Sequence, residues 1–228
     1  MDLTPVWGIS KWRDFEQCPA MYHAKYVTKE WKESPNDAML RGQAVHKDFE
    51  DAIKYELKLR DEFAAHQSMV DNLVSMKLKG STVVPEFKFG LSVNYQRVDY
   101  FKGERLRVRC GLDVYVLDDR RQALIIDWKT GKPKQEHRQD AEFYGSCAHV
   151  GLGNLGTSVM YHYVDDPNAS FMVKIEDATA HLSNWWQKFD YADKMIASGS
   201  IPAVSCNACA WCGAFKCPRN RNKKLGNG

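Results

Sequence analysis

The spacing of hydrophobic positions changes from helical to strand-like about one third of the way along the chain. Ile9, Trp12 and Phe15 recur at helical spacing and predict a first helix over 9–17, which Pro19 ends or bends. Further helical patterns follow, and runs of β-branched and aromatic residues then predict strands. We expect helices at 37–63, 67–77, 135–150 and 177–197, and strands at 83–93, 97–101, 105–117, 122–128, 158–164 and 171–175.

This order of elements predicts an α/β domain in which a central mixed sheet is flanked by helices. The length of 228 residues is enough for one sizeable core. We expect a single domain over 1–218, followed by a basic, disordered tail over 219–228. Its predicted parts are a helical N-terminal part (1–80), a sheet core (81–175) and a C-terminal helix with a cysteine-rich end (176–218).

Composition and charge exclude several classes of protein. A hydrophobic content of 44% argues against disorder, and no run of about eighteen apolar residues could span a membrane. The first five residues lack the features of a secretion signal. We therefore expect a cytoplasmic protein, or a viral protein acting in the host cytoplasm, with reduced thiols. A net charge of +3 permits a polyanionic partner without requiring one.

The most informative segment is a predicted hairpin with acidic residues at facing positions. Symmetry about Arg120 pairs Leu117 with Ala123, and Asp113 with Asp127. Residues directly opposite on one sheet face have Cβ atoms roughly 5 Å apart. Two carboxylates at that distance repel each other, and a divalent cation between them is the usual solution. The hairpin therefore predicts a metal site.

Alternation along these strands places basic residues on the same face. Lys129 shares a face with Asp127, and the arginines share a face with Asp113. The predicted row is Arg105, Arg107 and Arg109, and the apolar reverse face is Leu106, Val108, Cys110, Leu112, Val114, Ile126 and Trp128. The alternative is an exposed face of solvated, paired charges. The apolar run 124–126 favours a strand covered on both faces, where an Asp-x-Lys needs a functional reason.

Five motifs resemble, in the same order, those of the RecB-like branch of the PD-(D/E)XK nucleases. They are Ser10 to Pro19 with its Cys-Pro end, Gly42-x-x-x-His46, Gly111-Leu112-Asp113, Ile125 to Lys129, and Cys209-x-x-Cys212 with Cys217. The likeness spans nearly the whole chain and is of the iron-sulfur exonuclease type, similar to CRISPR-associated and AddB-type nuclease domains. It implies a restriction-endonuclease-like core.

The resemblance also implies roles for individual residues. Asp113 and Asp127 would bind one or two Mg²⁺ or Mn²⁺ ions, helped by the carbonyl of Trp128. Lys129 would orient the attacking water and stabilise charge on the scissile phosphate. His46 would be a further metal ligand. Glu50, one helical turn after His46, either orients that histidine or is a plain surface acid.

One motif departs from the family pattern. The family usually follows the lysine with a helix that carries Gln-x-x-x-Tyr. Here Tyr144 is preceded four residues earlier by Asp140, and Gln139 is one step off. Either Asp140 replaces the glutamine or the helix is shifted by one residue. The expected DNA contacts are Gln139, Tyr144, Arg105, Arg107 and Arg109.

The cysteines near the end of the chain predict a second, structural metal centre. The spacing of Cys206, Cys209, Cys212 and Cys217 is typical of ligands to Zn²⁺. The resemblance instead implies a 4Fe–4S cluster on Cys18, Cys209, Cys212 and Cys217, with Cys206 left over. The two other cysteines, Cys110 and Cys147, fall on apolar faces and are expected in the core.

Taken together, the resemblance implies a Mg²⁺- or Mn²⁺-dependent deoxyribonuclease. We expect an exonuclease that hydrolyses phosphodiester bonds of single-stranded or end-resected DNA in repair, recombination or viral DNA metabolism, with a helicase or recombination partner. One alternative is a non-catalytic nucleic-acid-binding or assembly subunit, which would not need Asp113, Asp127 and Lys129 together. Another is a metal or redox sensor, which does not explain the hairpin.

Overall fold

The computed structural model describes residues 5–32, 34–214 and 217–219. The helices are α1 (Ile9–Gln17), α2 (Pro19–Tyr22), α3 (Asp37–Tyr55), α4 (Gln67–Leu78), α5 (Glu136–Leu152) and α6 (Ala178–Ser198). The strands are β1 (Thr82–Ser92), β2 (Arg97–Val98), β3 (Leu106–Leu117), β4 (Gln122–Lys129), β5 (Gly156–Tyr163) and β6 (Phe171–Lys174). A π-helical turn covers His23–Val27, and 3₁₀ turns cover Asp61–His66, Pro167–Ala169 and Asn207–Ala210.

The six strands form one mixed sheet in the order β2-β1-β3-β4-β5-β6. β4 and β5 run parallel and are connected through α5, whereas the other neighbours are antiparallel. A parallel pair needs such a helical crossover, since a short turn cannot return the chain to the same direction. The predicted α/β class, with a central mixed sheet flanked by helices, is confirmed.

The chain divides into two compact units. One comprises residues 36–185, and the other comprises residues 1–35 together with 186–228. The division falls inside α6 and differs from the expected boundaries at residues 80, 175 and 218. A single domain over 1–218 remains a prediction.

In the unit of residues 36–185, helices cover both faces of the sheet. On one face α3 contacts β4, where the rings of Phe49 and Trp128 lie 4.5 Å apart. On the other face α5 packs closely on β5 at Gly145, because an added Cβ there would lie 2.7 Å from Val159. The core between α3, α4 and the sheet includes Val45, Phe49, Ile53, Val70, Leu73, Val83, Val114, Val116, Ile126 and Trp128.

In the other unit, an aromatic cluster holds the first helices. Trp7 stacks on Tyr22 and Phe189, with ring centroids 5.0 and 5.3 Å apart, and its indole donates to Asp193. The predicted helix over 9–17 is present, and Pro19 starts α2 at the first helical position, where its missing N–H is not needed.

Two elements are shorter than their patterns predict. α3 ends at Tyr55, because Glu56 adopts a left-handed conformation (φ 60°) and the apolar stripe stops after Ile53. β2 stops at Val98, because the Asp99 carboxylate accepts hydrogen bonds from two backbone N–H groups of the following turn. Such side-chain bonds compete directly with strand pairing.

None of the helices in the described parts of the chain is long and apolar enough to cross a membrane. The predicted tail lies almost wholly outside the described residues, since only Arg219 of it is included.

Candidate metal centre and hydrolytic site

The candidate site lies where β3 and β4 diverge. Leu117 pairs with Ala123, as predicted, and the ladder continues to Val114 and Ile126. At the next step the Asp113 carboxylate replaces the backbone partner, because its Oδ2 accepts the N–H of Trp128 at 2.7 Å. Asp113 thus closes the strand pair and keeps its second oxygen, Oδ1, for other contacts.

Three potential metal ligands meet at this point. Ligand atoms of His46, Glu86 and Asp113 all lie within 4.8 Å of one another. His46 Nδ1 lies 3.2 Å from Asp113 Oδ1. An open depression of about 500 Å³, lined by residues of α3 and by Glu86, leads to this group from solvent. The sequence pattern predicts His46 and Asp113 here but misses Glu86.

Glu86 is brought to the site by an irregularity in β1. Its φ of 51° is left-handed, and the pairing with β3 skips it, running from Pro85–Val114 to Phe87–Leu112. By the same β1–β3 register, Glu86 lies opposite Asp113. A signal was present in the sequence, because a proline inside a central strand usually marks a bulge or a break in the ladder.

Asp127 and Lys129 form the second part of the site. Lys129 Nζ lies 2.5 Å from Asp127 Oδ1 and 4.8 Å from the centre of the Tyr161 ring. Burial raises the pKa of Asp127 to about 6, and repulsion from Asp113 adds to this while Lys129 opposes it. Burial disfavours the charged form of Lys129, but Asp127, with smaller contributions from Asp113 and Asp140, raises the pKa of Lys129 overall.

The histidine is held by the same carboxylates. Burial favours neutral His46, but the hydrogen bond and charge of Asp113, together with the charge of Asp127, raise the pKa of His46 overall. Glu50 forms ion pairs with Lys47 and Lys54, at 3.3 and 3.8 Å, which favours the surface-acid alternative for this residue. The ligand role of the Trp128 carbonyl remains a prediction.

Helix α5 carries Tyr144 and the two alternatives for the glutamine of the motif, Gln139 and Asp140. Burial, followed by the charge of Asp127, raises the pKa of Tyr144 well above its ordinary value. The charge of Asp140 helps to raise the pKa of both Lys129 and Tyr144. Gln139 is exposed. The choice between Asp140 and Gln139 at the glutamine position of the motif remains a prediction.

Tyr161 is a residue that the sequence pattern did not single out. It pairs with Asp127 across the parallel strands β4 and β5, and its side chain is fully buried. Its hydroxyl has no hydrogen-bond partner in the described parts of the chain. Burial, with the charge of Asp127 adding, raises the pKa of Tyr161. A neutral phenol therefore lies beside the acidic and basic groups of the site.

The predicted row of arginines is not an open basic face. Arg107 is only 2% exposed, and Arg109 donates through Nε to the carbonyl of Tyr100 at 2.9 Å. Arg105 is exposed but precedes β3. A DNA contact by these arginines remains a prediction, and the burial of Arg107 argues against it for that residue.

The predicted alternation of β3 fails around Asp113. Cys110 contacts Cys147 on α5, whereas Val114 packs in the core under α3. Cys110 and Cys147 are fully buried.

Two buried histidines lie behind the site. His66 Nε2 donates to the carbonyl of Val164 at 3.0 Å, and His66 Nδ1 lies 3.0 Å from His162 Nε2. His162 Nδ1 has no hydrogen-bond partner in the described residues. Burial, with His66 adding, lowers the pKa of His162 to about 4. This pair supports β5 behind Trp128, whose ring lies edge-on to His162.

In the other unit, the cysteines surround one cavity. The cavity is small, with about 10 Å³ of space for water, and is lined by Cys18, Cys206, Cys209, Cys212, Cys217, Met21, Val204, Ala208 and Ala214. No trio of cysteine sulfurs in the described residues lies within 4.8 Å of one another. A glycine is required at Gly213, beside this cavity, because an added Cβ would collide with the Trp31 indole.

No family model and no curated protein matches this chain. Among solved structures, a candidate exonuclease from Eubacterium rectale shares the fold, with a TM-score of 0.51 at 11% identity over 91% of this chain and 86% of that one. The alkaline exonuclease LHK-Exo from Laribacter hongkongensis, solved with dAMP, gives a TM-score of 0.38 at 14% identity over 86% of this chain and 95% of that one. The second likeness is too distant to support an inference.

Proposed function

We propose that this chain is a Mg²⁺- or Mn²⁺-dependent deoxyribonuclease of the RecB-like PD-(D/E)XK kind. The observation that carries the proposal is the meeting of His46, Glu86 and Asp113 beside the Asp127–Lys129 pair. The fold shared with a candidate exonuclease supports it. We further propose exonuclease action on single-stranded or end-resected DNA in the cytoplasm, in repair, recombination or viral DNA metabolism, with a helicase or recombination partner.

The donor set fits a hard divalent cation. Carboxylate oxygens are the preferred ligands of Mg²⁺ and Mn²⁺, and a single imidazole is compatible with Mn²⁺. Ligands of one octahedral ion lie about 3 to 4 Å apart, close to the spacing of His46, Glu86 and Asp113. These three residues, with Asp127, would hold the ion. When bound, it would neutralise charge on the scissile phosphate and lower the pKa of a water.

The chain's own residues would then position the reactants. Lys129 is held between Asp127 and the Tyr161 ring, so its ammonium is fixed where it can donate to a water or a phosphate oxygen. The raised pKa of Asp127 allows that carboxylate to accept a proton near neutral pH when no cation is present. The open depression over His46 gives a phosphodiester access.

For the cysteine cavity we propose a structural 4Fe–4S cluster on Cys18, Cys209, Cys212 and Cys217. The cluster set includes Cys18, which lines the same cavity as Cys209, Cys212 and Cys217, whereas the zinc set leaves this cysteine without a role. The zinc alternative on Cys206, Cys209, Cys212 and Cys217 is tested by the metal content of purified protein.

The nuclease proposal is tested by digestion of end-labelled single- and double-stranded DNA. Wild type with Mg²⁺ or Mn²⁺ should release label, whereas chelator or Asp127→Ala should stop it. Asp119→Ala is the matched control, because it removes an exposed carboxylate from the turn of the same hairpin. A folded wild-type protein that binds DNA but never cuts it would favour the non-catalytic binding subunit. Normal cleavage by Asp127→Ala would remove this site from the reaction.

A further inference from the structure

A second depression borders the candidate metal centre along β1. It has about 850 Å³ of open space and is lined by Lys88, Phe89, Arg97, Val98, Asp99, Tyr100 and Phe101. Lys88 links it to the site, because its Nζ lies 3.3 Å from Glu86 Oε2. A polymer bound at the metal centre could therefore continue into this depression.

The depression combines aromatic rings with positive charge. Phe101 is 69% exposed, an unusual state for a large apolar side chain in an ordered turn. Its ring lies edge-on to Tyr100, with centroids 4.9 Å apart. The exposed Arg97 guanidinium lies 5.6 Å from the centre of the Phe87 ring. Aromatic faces beside lysine and arginine are the features that bind unpaired nucleotides, through base stacking and phosphate contact.

The turn that carries Phe101 is fixed in place. Asp99 Oδ1 accepts the N–H groups of Phe101 and Lys102, both at 2.8 Å, so this carboxylate is occupied within the turn. Arg109 holds the Tyr100 carbonyl from below at 2.9 Å. Gly90 lets the turn lie close to β1, because an added Cβ would be 2.9 Å from the Asp99 carbonyl. The aromatic surface is thus ordered before a ligand arrives, which lowers the entropic cost of binding.

We propose that this depression is a subsite for an unpaired nucleotide of the DNA substrate. One base stacks on Phe101, and the adjoining phosphates contact Arg97 and Lys88. The proposal rests on the proposed nuclease function for its substrate, and it specifies an unpaired strand next to the scissile bond. A blunt duplex presents no free base to Phe101 and therefore gains nothing from it.

The test is DNA binding in chelator, where no metal-dependent cleavage can occur. Single strands of about 12 nucleotides, each with 2-aminopurine at one position, and a blunt duplex are titrated with wild type and variants. Phe101→Ala should weaken single-strand binding about 5- to 100-fold, abolish 2-aminopurine quenching and leave duplex binding unchanged. Phe101→Trp should restore both signals. Arg97→Ala should reduce the salt dependence of binding by about one ion.

Leu78→Ala is the control, because Leu78 is a comparably exposed apolar residue (72%) at the end of α4. Single-strand binding by Phe101→Ala within twofold of Leu78→Ala would overturn the subsite, as would an equal loss on the duplex. A wild type that binds single strands through Phe101 but cuts nothing with Mg²⁺ or Mn²⁺ would refute the nuclease and leave the subsite standing.

Discussion

Glu86 allows the backbone strain of the site to be separated from its chemistry. A left-handed conformation costs an L-residue roughly 1–2 kcal/mol, and glycine does not incur that cost. Replacing Glu86 by alanine removes the carboxylate but keeps the strain, whereas replacing it by glycine removes both. We therefore expect Glu86→Gly to be about 1 kcal/mol more stable than Glu86→Ala, although glycine in a strand is normally the less stable of the two.

The assay is thermal unfolding in chelator, so that metal binding does not contribute. A difference of 1 kcal/mol corresponds to a shift of about 2–4 °C in Tm for a chain of this size. Lys88 is the matched control, since it lies on the same strand and has no left-handed backbone. There the usual order should hold, with Lys88→Gly less stable than Lys88→Ala. Both Glu86 variants should also lose Mn²⁺ binding.

The reasoning is refuted if Glu86→Ala is as stable as Glu86→Gly, because the strain would then not be stored at this residue. Among the non-glycine residues with left-handed φ in the described chain, the one inside a strand is Glu86. The others lie outside the strands. A higher stability of Glu86→Gly than of Glu86→Ala would mean that the fold gives up stability to place this carboxylate.

Three further outcomes are expected. The unfolded chain binds a proton at His162 near pH 6.5 and the folded chain only near 4, so the free energy of unfolding should fall by at most about 3 kcal/mol as pH drops through this window. Urea titrations should show a shallower pH dependence for His162→Gln, and an equal slope would contradict the assignment. Tyr161→Phe should leave stability unchanged or raise it by about 1 kcal/mol, because the lost hydroxyl is buried without a partner; a clear loss would mean that it has one. Gly213→Ala should cost about 1–3 kcal/mol by displacing Trp31 and should lower iron or zinc content, whereas unchanged metal content and stability would argue against this packing.

The register of the β3–β4 hairpin was predictable because two independent constraints agreed on it. A polar turn centred near Arg120 and the alternation of the flanking strands both pair Leu117 with Ala123, and the structure has this pairing. The strand limits were predictable to within a few residues for the same reason. The local sequence pattern was therefore sufficient to predict strand limits and register wherever the ladder is regular.

Local pattern failed where the ladder is interrupted. Alternation placed Cys110 and Val114 on one face, but Cys110 contacts Cys147 on α5 whereas Val114 packs in the core under α3. Between these two positions the β1–β3 ladder skips Glu86 and Asp113. Glu86 depends on a backbone conformation that no periodicity encodes, and only Pro85 hinted at it. The sequence pattern does not distinguish the buried Tyr161 from other strand residues. Its position beside Asp127 follows only from the pairing of β5 with β4. The irregular positions are those that form the candidate site.

The hydrogen bond from Trp128 to Asp113 allows the charge of this carboxylate to be separated from its structural role. An asparagine at position 113 would still offer an oxygen to that N–H, so the strand pair would stay closed while one negative charge disappeared. Alanine at the same position would open the end of the hairpin. Asp113→Asn would therefore remove one charge from the proposed site without loosening the sheet, so a chain that binds but does not cut could keep this hairpin intact.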